Sequence, residues 1–174
     1  MERRRLGIVG FGHLGEYLYR SITESPAVSA KIEVRGMRRR RHPLALRARL
    51  HSSSPFHAAR RLRCCQIVLV WNRTADKVRE SGIVPTALVC DNVDDFERAS
   101  SERFGADLIA EVAHPDISAK YGARFAAAAD YFVGSPTAFA SADVEVALRA
   151  AAAMPNGFGV YIPGGECACP NPGA

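Results

Sequence analysis

The chain has 174 residues, of which 48% are hydrophobic, and a formal net charge of +5. This length and composition predict one domain with an apolar core, and no stretch resembles a membrane span or a secretory signal, so we expect a cytoplasmic protein without a membrane partner. The five cysteines are odd in number and unevenly spaced, which favours neither a disulfide framework nor a metal site.

Apolar runs alternate with helical patterns along most of the chain, which predicts βαβ units and a parallel sheet. The fold class expected is therefore α/β, a Rossmann-type doubly wound parallel sheet. Predicted strands cover residues 5–10, 67–71, 86–90, 107–112, 131–134 and 158–162. Predicted helices cover residues 13–24, 94–104, 116–129 and 143–153. In the first helix, Leu14, Leu18 and Ile22 follow a spacing of four residues and are expected to form its buried face.

A glycine-rich turn, Gly10-x-Gly12-x-x-Gly15, joins the first strand to the first helix. In this context Gly10 permits a tight turn, Gly12 allows a pyrophosphate to approach the backbone, and Gly15 allows close helix–strand packing. The helix N-terminus adds free N–H donors and partial positive charge. The pattern predicts a dinucleotide site, although a glycine turn without a ligand is the alternative.

Residues 34–66 interrupt this alternation with ten arginines and no acidic residue. Asn72, which follows the second strand, lies 57 residues after Gly15, whereas the ribose-binding position of a dinucleotide fold lies about 20 residues on. Removing residues 34–66 joins Lys31–Glu33 to Ile67–Trp71 as one strand. We therefore predict a disordered insertion within strand two. An arginine-rich nucleic-acid arm is the less favoured alternative.

Several residues at predicted strand ends have more than one possible role. Asn72-Arg73 stands where an acid would favour NAD, and Arg73 could instead pair with the 2′-phosphate of NADP, stack on adenine or face solvent. His114 could transfer protons or simply shape the turn. Glu111 should be buried within its strand and therefore needs a partner that the sequence does not identify. Ser135 lacks the context of a nucleophile.

Five segments together resemble the L-aspartate dehydrogenase family: GIVGFGHLGEYL, IVLVWNR, LIAEVAHP, FVGSPTAFA and GVYIPGG. The resemblance implies an NAD- or NADP-binding Rossmann domain in residues 1–33 and 67–165, followed in the family by a second domain that completes the substrate site and a homodimer. Residues 166–174 are expected to be a disordered tail, and the second domain to be absent, as in a truncated isoform. The family reaction is oxidative deamination of aspartate by hydride transfer to nicotinamide.

The resemblance also implies a set of cofactor-binding positions. Its members are Gly10, Gly12, His13, Leu14, Gly15, Asn72, Arg73, Ala113, His114 and Ala138. The first five would hold the pyrophosphate, Asn72 and Arg73 would meet the adenosine ribose, and Ala138 would lie near the nicotinamide. No catalytic residue can be assigned, so a non-catalytic nucleotide-binding or regulatory product stays open beside the enzyme.

Overall fold

A computed structural model describes residues 4–25, 65–93, 105–154 and 158–163. Within these ranges six strands form one all-parallel sheet. The strands are β1 (Arg4–Val9), β2 (Cys65–Trp71), β3 (Val89–Cys90), β4 (Leu108–Glu111), β5 (Asp130–Val133) and β6 (Val160–Tyr161). The helices are α1 (His13–Glu24), α2 (Ala75–Glu80), α3 (Pro115–Ala128) and α4 (Ala142–Ala153).

The strand order is β3-β2-β1-β4-β5-β6, which is the doubly wound order of dinucleotide-binding folds. This confirms the predicted fold class. From β1 the chain adds β2 and β3 on one side. It then returns to add β4, β5 and β6 on the other side of β1. The reversal leaves a crevice at the carboxyl ends of β1 and β4, where open α/β sheets place their ligands.

Helices cover both faces of the sheet, which explains the continuous apolar runs of its central strands. On one face, Tyr19 and Ile22 of α1 and Val78 of α2 pack against the sheet. On the other face, Phe125 of α3 and Leu148 of α4 do so. Every residue from Ile67 to Trp71 is buried, including the Trp71 side chain.

The buried face of α1 differs from the prediction. Gly15, Tyr19 and Ile22 face the core, whereas Leu14 is 55% exposed. The glycine turn sets this rotation, because a Cβ atom at Gly15 would lie 2.1 Å from the carbonyl oxygen of Gly10. Only a residue without a side chain can occupy that contact, so the helix turns Gly15 toward β1 and Leu14 outward.

Two other elements in the first half differ from the prediction, since the strand expected at 86–90 is shorter and one helix was missed. Thr86–Leu88 forms a 3₁₀ turn closed by a hydrogen bond of 2.8 Å from Leu88 N–H to the Pro85 carbonyl, and only Val89–Cys90 pairs with β2. Helix α2 was not predicted, because six residues with a single buried member, Val78, carry no periodic apolar signal.

The other described elements begin and end within two residues of their predicted bounds. Strand β2 begins at Cys65, so Cys65 and Gln66 pair with β1 although they were assigned to the insertion. Residues 26–64, which hold the proposed first part of strand two and most of the insertion, lie outside the described residues. So do the predicted helix at 94–104 and the tail at 166–174. No helix in the described ranges is long and apolar enough to cross a bilayer.

Candidate functional site

The candidate site lies at the carboxyl ends of three adjacent strands. Residues Gly10–Gly15 follow β1, Asn72 and Arg73 follow β2, and Ala113 and His114 follow β4. Because the strands are parallel and neighbouring, their ends meet at one edge of the sheet, beside the reversal of strand order. The fold thus brings together the residues that sequence patterns singled out separately.

Gly10 makes the turn out of β1. Its φ of +110° belongs to a region that side chains rarely tolerate, and its N–H donates a hydrogen bond of 2.7 Å to the Trp71 carbonyl. A Cβ atom here would lie 2.8 Å from the backbone of Ala113. The turn therefore packs directly against the segment that follows β4, which leaves no room for any residue except glycine.

Gly12 has a different environment, although it belongs to the same motif. It is exposed and extended (φ −88°), it is the N-cap of α1, and a Cβ atom added to it would meet nothing within 4 Å. The Gly12 carbonyl accepts the N–H of Glu16 at 2.9 Å, and no side chain caps the helix. Neither its backbone conformation nor packing among the described residues requires glycine at this position.

Asn72 connects the end of β2 to the glycine turn. Its Oδ1 accepts the N–H of Phe11 at 3.3 Å, and its Nδ2 donates to the Thr74 carbonyl at 3.0 Å. The side chain predicted to meet a ribose therefore also holds the turn in place. Arg73 is exposed and makes no ion pair with any residue of the described ranges.

His114 is the N-cap of α3. Its Nδ1 accepts the N–H of Asp116 at 3.3 Å and lies 3.2 Å from Asp116 Oδ2, while 68% of its side chain is exposed. The sequence allowed either a proton carrier or a residue that shapes the turn. In the structure the imidazole shapes the start of α3, because it accepts a backbone N–H as a helix cap.

His13 and Leu14 are exposed in the first turn of α1. Ala138 is not. It lies in a 3₁₀ turn (Pro136–Ala140), is only 5% exposed, and belongs to the apolar cluster beneath α3 and α4. The turn follows the carboxyl end of β5, so Ala138 lies in the segment beside the other candidate residues with its side chain buried, and its place near the nicotinamide stays a prediction.

Glu111, the last residue of β4, has partners that the sequence did not identify. It is fully buried, and four donors reach its carboxylate. Oε1 accepts the N–H of Ala113 at 2.7 Å and the hydroxyl of Ser135 at 3.2 Å. Oε2 accepts the hydroxyl of Ser118 at 3.1 Å and the N–H of Ser135 at 3.2 Å. A single carboxylate thus links β4, α3 and the segment after β5.

A second hydroxyl extends this network into the core. Ser118 Oγ lies 2.8 Å from the Tyr131 hydroxyl. Because the one hydroxyl proton of Ser118 is directed at Glu111, Tyr131 is the donor of this bond. Burial raises the pKa of Tyr131 well above its ordinary value, the Ser118 bond lowers it, and the negative charge of Glu111 raises it further. Tyr131 is therefore a neutral donor throughout the physiological range.

A signal for this network was present in the sequence but was incomplete. An acid at the end of an apolar strand predicts a buried carboxylate. Its donors, however, come from positions 113, 118 and 135, which only the folded sheet brings together. Among the described residues, no buried side-chain nitrogen or oxygen atom is without a hydrogen-bond partner.

Comparison with known proteins identifies relatives of the chain. No family model matches the chain. It is 32% identical over 164 residues to the aspartate dehydrogenase domain-containing protein of Xenopus tropicalis, and 32% identical over 161 residues to that of Danio rerio. These alignments cover 94% and 92% of the chain but only 43% of each relative, so the chain spans less than half the length of the relatives it matches. Over nearly its whole length the chain is therefore similar to part of the aspartate dehydrogenase domain-containing proteins, as its sequence motifs indicated.

Proposed function

We propose that the chain is the dinucleotide-binding part of an aspartate dehydrogenase-like oxidoreductase, and that its glycine turn binds the pyrophosphate of NADP or NAD. The observation that carries this proposal is the environment of Gly12. Gly10 and Gly15 are required by the fold itself. Gly10 has a positive φ, and at Gly15 the carbonyl oxygen of Gly10 lies where a Cβ atom would have to be. Gly12 has neither reason and faces open space.

A phosphate ligand supplies the missing reason. In this motif the pyrophosphate must come close to the backbone at the second glycine. A Cβ atom there would occupy the space that the pyrophosphate needs. The first turn of α1 offers N–H groups that no side chain caps, with the positive end of the helix dipole behind them. The residues present therefore fit a dinucleotide at this edge.

The adenosine half would lie toward β2. Asn72 already uses its Oδ1 and Nδ2 in bonds to Phe11 and Thr74, so its first contribution is to fix the turn. Arg73 has an exposed guanidinium without an ion-pair partner in the described ranges. A planar guanidinium forms paired hydrogen bonds with a phosphate, so we infer a preference for NADP over NAD.

When bound, the nicotinamide would accept the hydride. The residues of this chain bind and orient it, and Ala113 and His114 border the groove on the β4 side. The Nδ1 of His114 is engaged by Asp116 N–H, so only Nε2 is available to exchange a proton with a ligand. The name of the relatives and the family resemblance favour aspartate as substrate, and a homodimer, for the longer protein.

Replacement of Gly12 by serine tests the proposal. The extended backbone suits a serine N-cap, whose hydroxyl would bond the free N–H groups of α1 and keep or raise stability. The same side chain would fill the phosphate position. We expect NADPH and NADH binding, measured by calorimetry, to be lost in Gly12→Ser without a lower melting temperature.

Gly82→Asn is the matched control. Gly82 is another exposed glycine with open space, lies beyond the C-terminal end of α2, and has a φ of +64° that asparagine tolerates. This variant should bind as the unaltered chain does. Equal cofactor affinity in Gly12→Ser would remove the glycine turn from the site.

A further inference from the structure

We propose that Glu111 is a positioning residue for the nicotinamide half of the groove. Its buried carboxylate fixes the backbone of two loops at the open edge of the sheet: the β4 loop (residues 112–114) and the β5 loop (residues 134–135). This inference rests on the proposed dinucleotide site for its functional meaning. Its structural part stands on contacts within the chain.

The main support for this role of Glu111 comes from hydrogen bonds that backbone N–H groups donate to it. Ala113 N–H and Ser135 N–H both end on the Glu111 carboxylate, one on each oxygen. The Gly134 N–H also donates to the Glu111 carbonyl at 2.7 Å, and a Cβ atom at Gly134 would lie 2.1 Å from that oxygen. Both loops are thus attached to the same residue, so a change in its side chain is transmitted to both.

The position of the β4 loop bears on the glycine turn. A Cβ atom at Gly10 would lie 2.8 Å from the backbone of Ala113, so these two segments are in direct contact. The bond from Ala113 N–H to Glu111 Oε1, at 2.7 Å, is the shortest of the four that the carboxylate accepts. Glu111 therefore fixes the β4 loop where it lies against the turn, whereas the turn itself is held by the bond from Gly10 N–H to the Trp71 carbonyl.

The charge of Glu111 is compensated by these donors alone. No lysine or arginine of the described ranges makes an ion pair with it. A fully buried carboxylate is costly unless hydrogen bonds replace its hydration, and each of the four bonds does so. A buried glutamate at this position, at the carboxyl edge of the sheet, therefore serves to fix backbone geometry rather than to fill space.

Glutamine cannot replace this carboxylate, although it has nearly the same shape. Each Glu111 oxygen receives one backbone N–H, from Ala113 or from Ser135. Whichever way a glutamine amide is turned, its NH₂ group faces one of these N–H groups, and neither can become an acceptor. One loop must therefore lose its bond and move. Serine hydroxyls can rotate to compensate, but backbone N–H groups cannot.

The two halves of a dinucleotide provide a selective test. The adenosine half belongs to the β1–β3 side of such a fold, and the nicotinamide half to the side that begins with β4. We therefore compare NADPH with 2′-phospho-ADP-ribose, which lacks only the nicotinamide ring. Glu111→Gln should lose about tenfold or more in NADPH affinity, since an unpaired N–H or a displaced loop is costly. Affinity for 2′-phospho-ADP-ribose should change much less.

Tyr131→Phe serves as the control for general destabilisation. It removes the hydroxyl that donates to Ser118, in the same buried network, but leaves all four bonds to Glu111 in place. It should lower the melting temperature and leave both ligand affinities unchanged. Equal loss of both ligands in Glu111→Gln, or the same loss in Tyr131→Phe, would overturn the positioning role.

Amide hydrogen exchange in the ligand-free chain tests the structural part separately. In Glu111→Gln the amide of Ala113 or of Ser135 should exchange faster, while Gly10, bonded to Trp71, keeps its protection. Unchanged protection at both amides would refute the inference even if NADPH affinity fell. If the unaltered chain bound neither ligand, the proposed function would fail, and exchange alone would decide whether Glu111 fixes the loops.

Discussion

The backbone N–H of Phe11 donates a hydrogen bond of 3.3 Å to Oδ1 of Asn72, across 61 residues of sequence. Phe11 lies between the first two glycines of the turn, and Asn72 is the first residue after β2. The Asn72 amide also donates to the Thr74 carbonyl. One side chain thus joins the end of β2 to the glycine turn and to the start of α2.

Replacement of Asn72 by alanine should therefore loosen the glycine turn. Each lost bond at this partly exposed position costs about 1 kcal/mol, so we expect a modest loss of stability and about tenfold weaker NADPH binding. Thr74→Ala is the control, because the Asn72 bond uses the Thr74 carbonyl and the Thr74 side chain makes no capping bond. Calorimetric titration of both variants measures the effect, and similar affinities in the two would contradict it.

Gly15 and Gly12 should differ greatly in how much stability they lose on replacement by alanine. At Gly15 the added Cβ atom would meet the Gly10 carbonyl oxygen at 2.1 Å, which forces α1 away from β1. Such overpacking against backbone costs about 3 kcal/mol or more. At Gly12 the same methyl group meets nothing, and the change should cost about 1 kcal/mol or less.

Urea unfolding followed by fluorescence can measure this difference, since Trp71 is the single tryptophan of the chain and is buried. Gly15→Ala should unfold at much lower urea concentration than Gly12→Ala, whatever either does to cofactor binding. Equal midpoints would mean that close packing of α1 on the turn is not what Gly15 provides.

The sequence predicted the sheet more fully than the site. Apolar runs identified the central strands, because a parallel sheet covered on both faces leaves few polar positions in them. Ile22 and Leu18 of α1 were predicted correctly, but the exposure of Leu14 was missed because a glycine, not a leucine, sets the rotation of that helix. Ala138 was placed near the nicotinamide by resemblance alone, and no pattern in the sequence predicted that its side chain would be buried beneath α3 and α4. The partners of Glu111 come from three separate segments, and no local sequence pattern could predict that the fold brings them together.

Asp130 should make stability depend on pH in the acidic range. Burial raises its pKa above the ordinary 3.8, the Gly159 N–H bond and Arg4 lower it, and Asp107 raises it. A carboxyl group with a raised pKa binds its proton more tightly in the folded state. Its contribution to stability is therefore greatest at low pH and is lost as pH rises from about 3.8 through the folded-state pKa.

Asp130→Asn should abolish this loss, because an asparagine oxygen can still accept the Gly159 N–H, at 2.8 Å in the structure, without carrying charge. We expect the free energy of unfolding of the variant to rise relative to that of the unaltered chain between pH 3.5 and pH 7. The difference between the two proteins isolates Asp130 from the other acids. A difference that stays constant over this range would show that Asp130 titrates alike in the folded and unfolded states.

Arg73 should decide between the two cofactors. It is exposed beside the turn and has no ion-pair partner in the described ranges, so its guanidinium can reach a ligand phosphate without breaking a bond within them. Charge-assisted hydrogen bonds to phosphate contribute about 1.5–3 kcal/mol, so Arg73→Ala should weaken NADPH binding by about 10- to 100-fold. NADH, which has a ribose hydroxyl there, should bind nearly as before.

Two further variants distinguish specific recognition from the general effect of a positive charge. Arg79 lies six positions later in the chain, but its guanidinium already bonds Asp76 and Asp91, so Arg79→Ala should weaken neither cofactor selectively. Arg73→Lys keeps the charge and loses the planar pair of donors, and should recover only part of the NADPH affinity. Equal losses for NADPH and NADH in Arg73→Ala would show that the guanidinium does not recognise the 2′-phosphate.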